Sequence, residues 1–123
     1  MATASEMMTG GISAGGARAI NGFVNSAVSA AGTTISDATA LKASHNIVTT
    51  VAASSGVLLP NSEVGDEYLV YNATGTNALS VYPPTSSATI NQLSAGVAML
   101  LSPYTACNFK KTTSTTWHAW LSA

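Results

Sequence analysis

Charge is the first thing this sequence is short of. Its basic residues are Arg18, Lys42, Lys110 and Lys111, and its acidic ones are Glu6, Asp37, Glu63, Asp66 and Glu67. Charged residues make up 7% of the chain, against about 25% in an ordinary soluble protein. The net charge of −1 leaves no basic field to gather nucleic acid or anionic lipid, so neither is expected as a partner. A dispersed protein normally carries mixed surface charge. A chain this neutral covers itself with Thr, Ser and Asn, or buries its surface against other subunits. The second option favours an assembly component over a solitary enzyme; a monomer with a hydroxyl-rich surface is the bland alternative.

Cysteine is nearly absent. Cys107 stands alone, so no intrachain disulfide can form, and its alternating neighbourhood suits a small core residue. Glu6 sits where a signal peptide would carry positive charge, and no apolar h-region follows. No run approaches the roughly 18 apolar residues that span a bilayer. Synthesis in the cytosol with no membrane contact is the expectation, and the sequon Asn72-Ala73-Thr74 then reads as a turn.

Reactive clusters are missing as well. His45, His118 and Cys107 contain no close-spaced pair of the kind a zinc site uses. There is no G-x-S-x-G and no P-loop, and the N-terminal glycine pairs do not follow a strand. Glu63, Asp66 and Glu67 lack the ligand repeat of an EF-hand. Catalytic, cofactor and metal residues are therefore expected to be none.

What is present is enough for one domain: 123 residues in two textures. Residues 1–31 are rich in Ala, Gly and Ser, with Gly10-Gly11 and Gly15-Gly16 marking a flexible stretch. From 17 to 31 an apolar stripe, Ile20, Phe23, Val24, Ala27, Val28 and Ala31, has helical spacing. A short helix over 17–31 is expected, ordered only where something covers the stripe. Residues 1–31 are thus read as a docking arm and 32–123 as a β domain.

Within the second part, short β-type runs alternate with turn residues. Expected strands are 33–40, 46–53, 57–59, 67–72, 78–82, 89–90, 96–101, 105–110 and 116–121. Leu79 and Val81 oppose Ser80, Cys107 and Phe109 oppose Asn108, and Trp117 and Ala119 oppose His118 and Trp120. The fold class is all-β: a small antiparallel β-sandwich or barrel behind an N-terminal arm. Leu69, Leu79, Val81, Ile90, Leu100, Phe109 and Trp117 are the candidate core. Lys110 and Lys111 read as an edge pair that discourages aggregation.

The aromatics Tyr68, Tyr71, Tyr82, Tyr104, Phe109, Trp117 and Trp120 crowd the second half. Trp117 and Trp120, three apart, cannot share a strand face, so one ring must point outward as a rim group or an interface anchor. The interface candidates are Ile20, Phe23, Val24, Val28, Tyr104 and Trp120.

The stretch from Gly65 to Trp120 resembles a β module of tailed-bacteriophage structural proteins. The residues that carry the likeness are Gly65-Asp66, Val70, Asn72, Asn77, Ala78, Leu79, Val81-Tyr82-Pro83, Ile90-Asn91, Leu93, Phe109 and Trp117. They form a fold grammar with no catalytic signature, and residues 1–31 lie outside it. The resemblance implies a non-enzymatic virion protein on the capsid surface, made in the host cytoplasm. A capsid cement (decoration) protein is the first choice: it would clamp neighbouring major capsid subunits against the pressure of packaged DNA. It would act as a homo-oligomer, with a trimer favoured by three-fold lattice positions. A receptor- or carbohydrate-binding module of a phage fibre or tail is the alternative.

Overall fold

The computed structural model describes residues 24–121. Ten strands run in chain order: β1 (Val24–Ser29), β2 (Thr39–Ala40), β3 (His45–Thr50), β4 (Gly56–Leu58), β5 (Glu67–Asn72), β6 (Leu79–Tyr82), β7 (Thr89–Ile90), β8 (Met99–Leu101), β9 (Ala106–Lys111) and β10 (Thr116–Leu121). They make a six-stranded sheet in the order β1-β3-β5-β9-β10-β7 and a four-stranded sheet in the order β2-β4-β6-β8.

The chain crosses from one sheet to the other at each step from β1 to β6. Each strand therefore meets its sheet neighbour one full coil later, and the pairing is parallel: β1 with β3, β3 with β5, β2 with β4, β4 with β6. The spacing that pairs His45 with Leu69 is repeated where Val57 pairs with Val81 on the opposite sheet. Parallel neighbours need a long crossover; here the opposite sheet supplies it. The architecture is β-solenoid-like, closed by antiparallel strands: β9 on β5, β10 on β9, and β8 on β6.

The all-β expectation holds, whereas the simple antiparallel sandwich or barrel does not. Alternation reports which side chain faces in; it carries nothing about the direction of the neighbouring strand. The expected helix over 17–31 is also corrected. Val24–Ser29 is a strand of the six-stranded sheet, and residues 17–23 lie outside the described part. Asn25, Val28 and Ser29 have poor or indifferent helix propensity, and pairing with β3 decides the matter. Where a strand was expected over 33–40, residues 33–38 bend and turn and only Thr39–Ala40 pair.

The core lies between the sheets. Val48, Val70, Phe109 and Trp117 come from the larger sheet, and Val57, Leu79, Val81 and Leu101 from the smaller; all are fully buried. Each such side chain contributes roughly 1.5–3 kcal/mol. Ile90 is fully buried as well, and Leu69 is half-buried on the outer face. Leu100, placed in the core by the sequence reading, is instead 64% exposed, and Leu101 is buried. The strand entering there is short, so its phase rests on pairing Leu101 with Leu79.

Polar pins hold the coils in register. Asn72, wholly buried, donates from Nδ2 to the carbonyls of Asn77 (2.9 Å) and Leu101 (3.1 Å). Its Oδ1 accepts from the Thr74 backbone N–H and hydroxyl. Asn77 in turn donates to Val51 O. One amide thus joins β5, the opposite sheet and the loop between them, with each hydrogen-bonding atom satisfied. The sequon Asn72-Ala73-Thr74 is part of this pin. On the smaller sheet, the Tyr82 ring lies against Gly56 and its hydroxyl donates to Thr33 O at 2.8 Å. A Cβ on Gly56 would stand 2.7 Å from Tyr82 Cε2.

Candidate functional site

The outer face of the six-stranded sheet collects several of the residues singled out in the sequence. Cross-strand partners stand side by side on one face, and register carries one row across five strands: Val24, His45, Leu69, Asn108 and Trp120. Val24 is 65% exposed at one end and Trp120 is 52% exposed at the other. The adjacent row holds Ile47, Tyr71 and Ala106. Neither row contains an acid, Lys or Arg. On the far side of the first row lie Glu67, Lys110 and His118 in register. Lys110 Nζ stands 3.5 Å from Glu67 Oε1 with both side chains well exposed, a geometry that contributes little to stability.

The interface candidates fall into four groups. Val24 and Trp120 share this face. Tyr104 is 66% exposed but lies elsewhere, in a left-handed turn (φ 59°) with its ring over Gly75. Val28 is 5% exposed and belongs to the chain's own core, so it offers nothing to a partner. Ile20 and Phe23 lie outside the described residues. The lysine pair is also corrected: β9 is interior to its sheet, and Lys111 points inward, 7% exposed, donating to Ser62 O at 2.5 Å.

A second feature sits at the end of the stack, between β1 and β2. Asn25, Ala27, Val28, Ser29, Thr39, Ala40, Leu41 and Lys42 line a groove of about 280 Å³. Its floor is apolar, from the buried Val28 and Leu41. Lys42 is its one charged wall residue.

Among the described residues the ionisable groups do not converge. His45 and His118 are on β3 and β10, with β5 and β9 between them. Among the described residues, no group of three His, Cys, Asp or Glu side chains could hold a metal ion. Cys107 is buried, and desolvation pushes its thiol up to about 12, which keeps it protonated and unreactive at neutral pH. Asp37 is held below the usual carboxylate range by the backbone N–H and hydroxyl of Thr34, assisted by the Thr33 N–H. It pins the turn after β1. Among the described residues, no helix is long and apolar enough to cross a membrane.

The sequence reading missed the Asn pins and the groove. The pins had a signal, since Asn72, Asn77 and Asn91 all stand at strand ends beside turn residues. The groove had none, because it depends on which strands meet. What the arrangement offers chemically is surface: a partly aromatic sheet face, with an exposed Lys110–Glu67 pair along one side of it, and a groove at the β1–β2 end. In comparisons with known proteins, no family model matches this chain and no curated protein matches it.

Proposed function

We propose that the chain is a non-enzymatic structural protein of a bacteriophage virion, a capsid cement protein that binds across neighbouring major capsid subunits. The observation that carries this reading is the uncharged row from Val24 to Trp120. Its apolar ends are exposed, and its β scaffold is fixed by buried amides. Such a row gives up little charge hydration on docking, and an outward Trp is the residue type that anchors interfaces. The resemblance of Gly65–Trp120 to the phage β module supplies the setting, and three-fold lattice positions favour a trimer.

Quantitative mass spectrometry of purified virions, with cryo-electron microscopy of the same particles, tests this. Hundreds of copies on the shell are expected. Absence from the particle overturns the virion assignment. A few copies at the tail or vertices favour the second reading, a glycan- or receptor-binding module. Trp120 beside the Asn108 amide supports that alternative, since an aromatic platform with a flanking amide suits a sugar ring; a glycan array checks it directly.

A further inference from the structure

Asn72-Ala73-Thr74 is the one Asn-x-Ser/Thr sequence in the chain, the acceptor pattern for an N-linked glycan. Acceptors of this kind belong on surface loops. Here the acceptor asparagine is 0% exposed. It ends β5, an interior strand between β3 and β9. Its main chain is held as well: the N–H donates to Thr105 O, and the carbonyl accepts from the Tyr104 N–H, each at 2.9 Å.

A glycan would have to be built on Asn72 Nδ2. That nitrogen carries two hydrogens, and it donates to Asn77 O at 2.9 Å and to Leu101 O at 3.1 Å. The amide oxygen is engaged by the Thr74 N–H and by the Thr74 hydroxyl, the third member of the acceptor pattern.

We propose that Asn72 is an acceptor for N-linked glycan only while the chain is unfolded, and that glycosylation and this fold exclude one another. Transfer forms a bond from Nδ2 to the anomeric carbon of the sugar. It breaks that carbon's bond to a lipid-linked pyrophosphate, and the lipid pyrophosphate leaves with one proton from Nδ2. The product keeps a single N–H, so one of the two carbonyls loses its donor. The sugar ring would also stand where Asn77 or Leu101 now packs, in a space closed to solvent. In the unfolded chain the acceptor pattern is intact, because it is local, while Leu101 lies 29 residues away along the chain. Removing the glycan with a peptide amidase does not undo the damage. Water cleaves the amide, the glycosylamine leaves and Asn72 becomes aspartate, which has no N–H to give either carbonyl. This inference concerns the chain wherever it is made, so it stands or falls separately from the virion reading.

The test presents the full chain to a eukaryotic oligosaccharyltransferase and its lipid-linked donor in two ways. In one, the purified folded protein is added after synthesis. In the other, the chain is translated into microsomes behind a signal sequence, so that the enzyme meets it before it folds. Mass spectrometry should find the glycan on Asn72 of the nascent chain. Transfer to the folded chain should be lower by about a thousandfold or more, in line with the unfolded fraction of an ordinary domain. Glu63→Thr, which makes exposed Asn61 an acceptor, should accept glycan in the folded protein. The Asn72 glycoform should be digested by thermolysin like an unfolded chain, before and after amidase treatment. Transfer to Asn72 of the folded chain at the rate seen for Asn61 overturns the proposal. So does a glycoform as resistant to thermolysin as the parent, or a nascent chain that takes no glycan.

Discussion

The side-chain amide of Asn91 exchanges two hydrogen bonds with the backbone of Ala119. Nδ2 donates to Ala119 O at 3.0 Å, and Oδ1 accepts from Ala119 N at 2.9 Å. Asn91 follows β7, where the chain turns away with φ at 52°. Its main-chain N–H still pairs with Trp117 O at 2.9 Å. The side chain then takes over the next pair of bonds along β10, acting as a strand residue after the strand has ended.

Replacing Asn91 should therefore cost stability in two separable parts. Asn91→Gly keeps the left-handed backbone and removes the amide; with two neutral hydrogen bonds lost, about 1–2 kcal/mol is expected. Asn91→Ala loses the amide and strains the turn, so it should be worse by a further several tenths of a kcal/mol or more. Chemical denaturation of both variants checks the order, and an Asn91→Gly protein as stable as the parent would contradict it.

Asn72→Ala should be the costliest of the pin substitutions. It leaves the Leu101 carbonyl and the Thr74 donors without this partner in a buried setting. Buried groups left unsatisfied cost about 1–3 kcal/mol each, so a loss of roughly 2–4 kcal/mol is expected by urea denaturation.

Gly56→Ala places a methyl 2.7 Å from Tyr82 Cε2 and 2.9 Å from Ser80 O. The ring can swing aside but the carbonyl cannot, so about 1–3 kcal/mol of overpacking is expected. Tyr82→Ala in the same background should recover only part of it. Full recovery would show that the ring alone sets the limit.

Cys107 gives a pH dependence of known sign. Its ordinary value is 9.0 and burial raises it to about 12. Below pH 9 both folded and unfolded chains hold the proton, and the stability is fully present. Between 9 and about 12 only the unfolded thiol ionises, so stability falls as pH rises, by at most about 1.4 kcal/mol per unit. Cys107→Ala should flatten that slope in urea titrations carried from neutral into alkaline solution. Native Cys107 should also resist alkylation near neutral pH until urea exposes it.

Asp37 acts at the opposite end of the scale. Its folded value lies below 3.8 because Thr34 and Thr33 donate to the carboxylate. The stability it confers is present above the ordinary carboxylate range and is lost as pH falls through the lowered value. Amide exchange at Thr33 and Thr34 should quicken below about pH 4, and Asp37→Asn should remove most of the dependence.

The sequence by itself determined the local facts. Scarce charge, frequent turn residues and alternation within Leu79–Tyr82, Ala106–Lys111 and Thr116–Leu121 fix an all-β chain and inward residues such as Leu79, Val81, Phe109 and Trp117, because side-chain period and turn chemistry are local. The tertiary structure alone decided how strands are joined. Parallel partners such as Thr39 and Val57, or His45 and Leu69, lie a full coil apart along the chain, and no repeated motif at that spacing marks them in the sequence. Tertiary pairing also made Val24–Ser29 a strand, turned Lys111 inward and exposed Leu100. In each case the local preference is worth tenths of a kcal/mol, and the pairing and burial that override it are worth several times more.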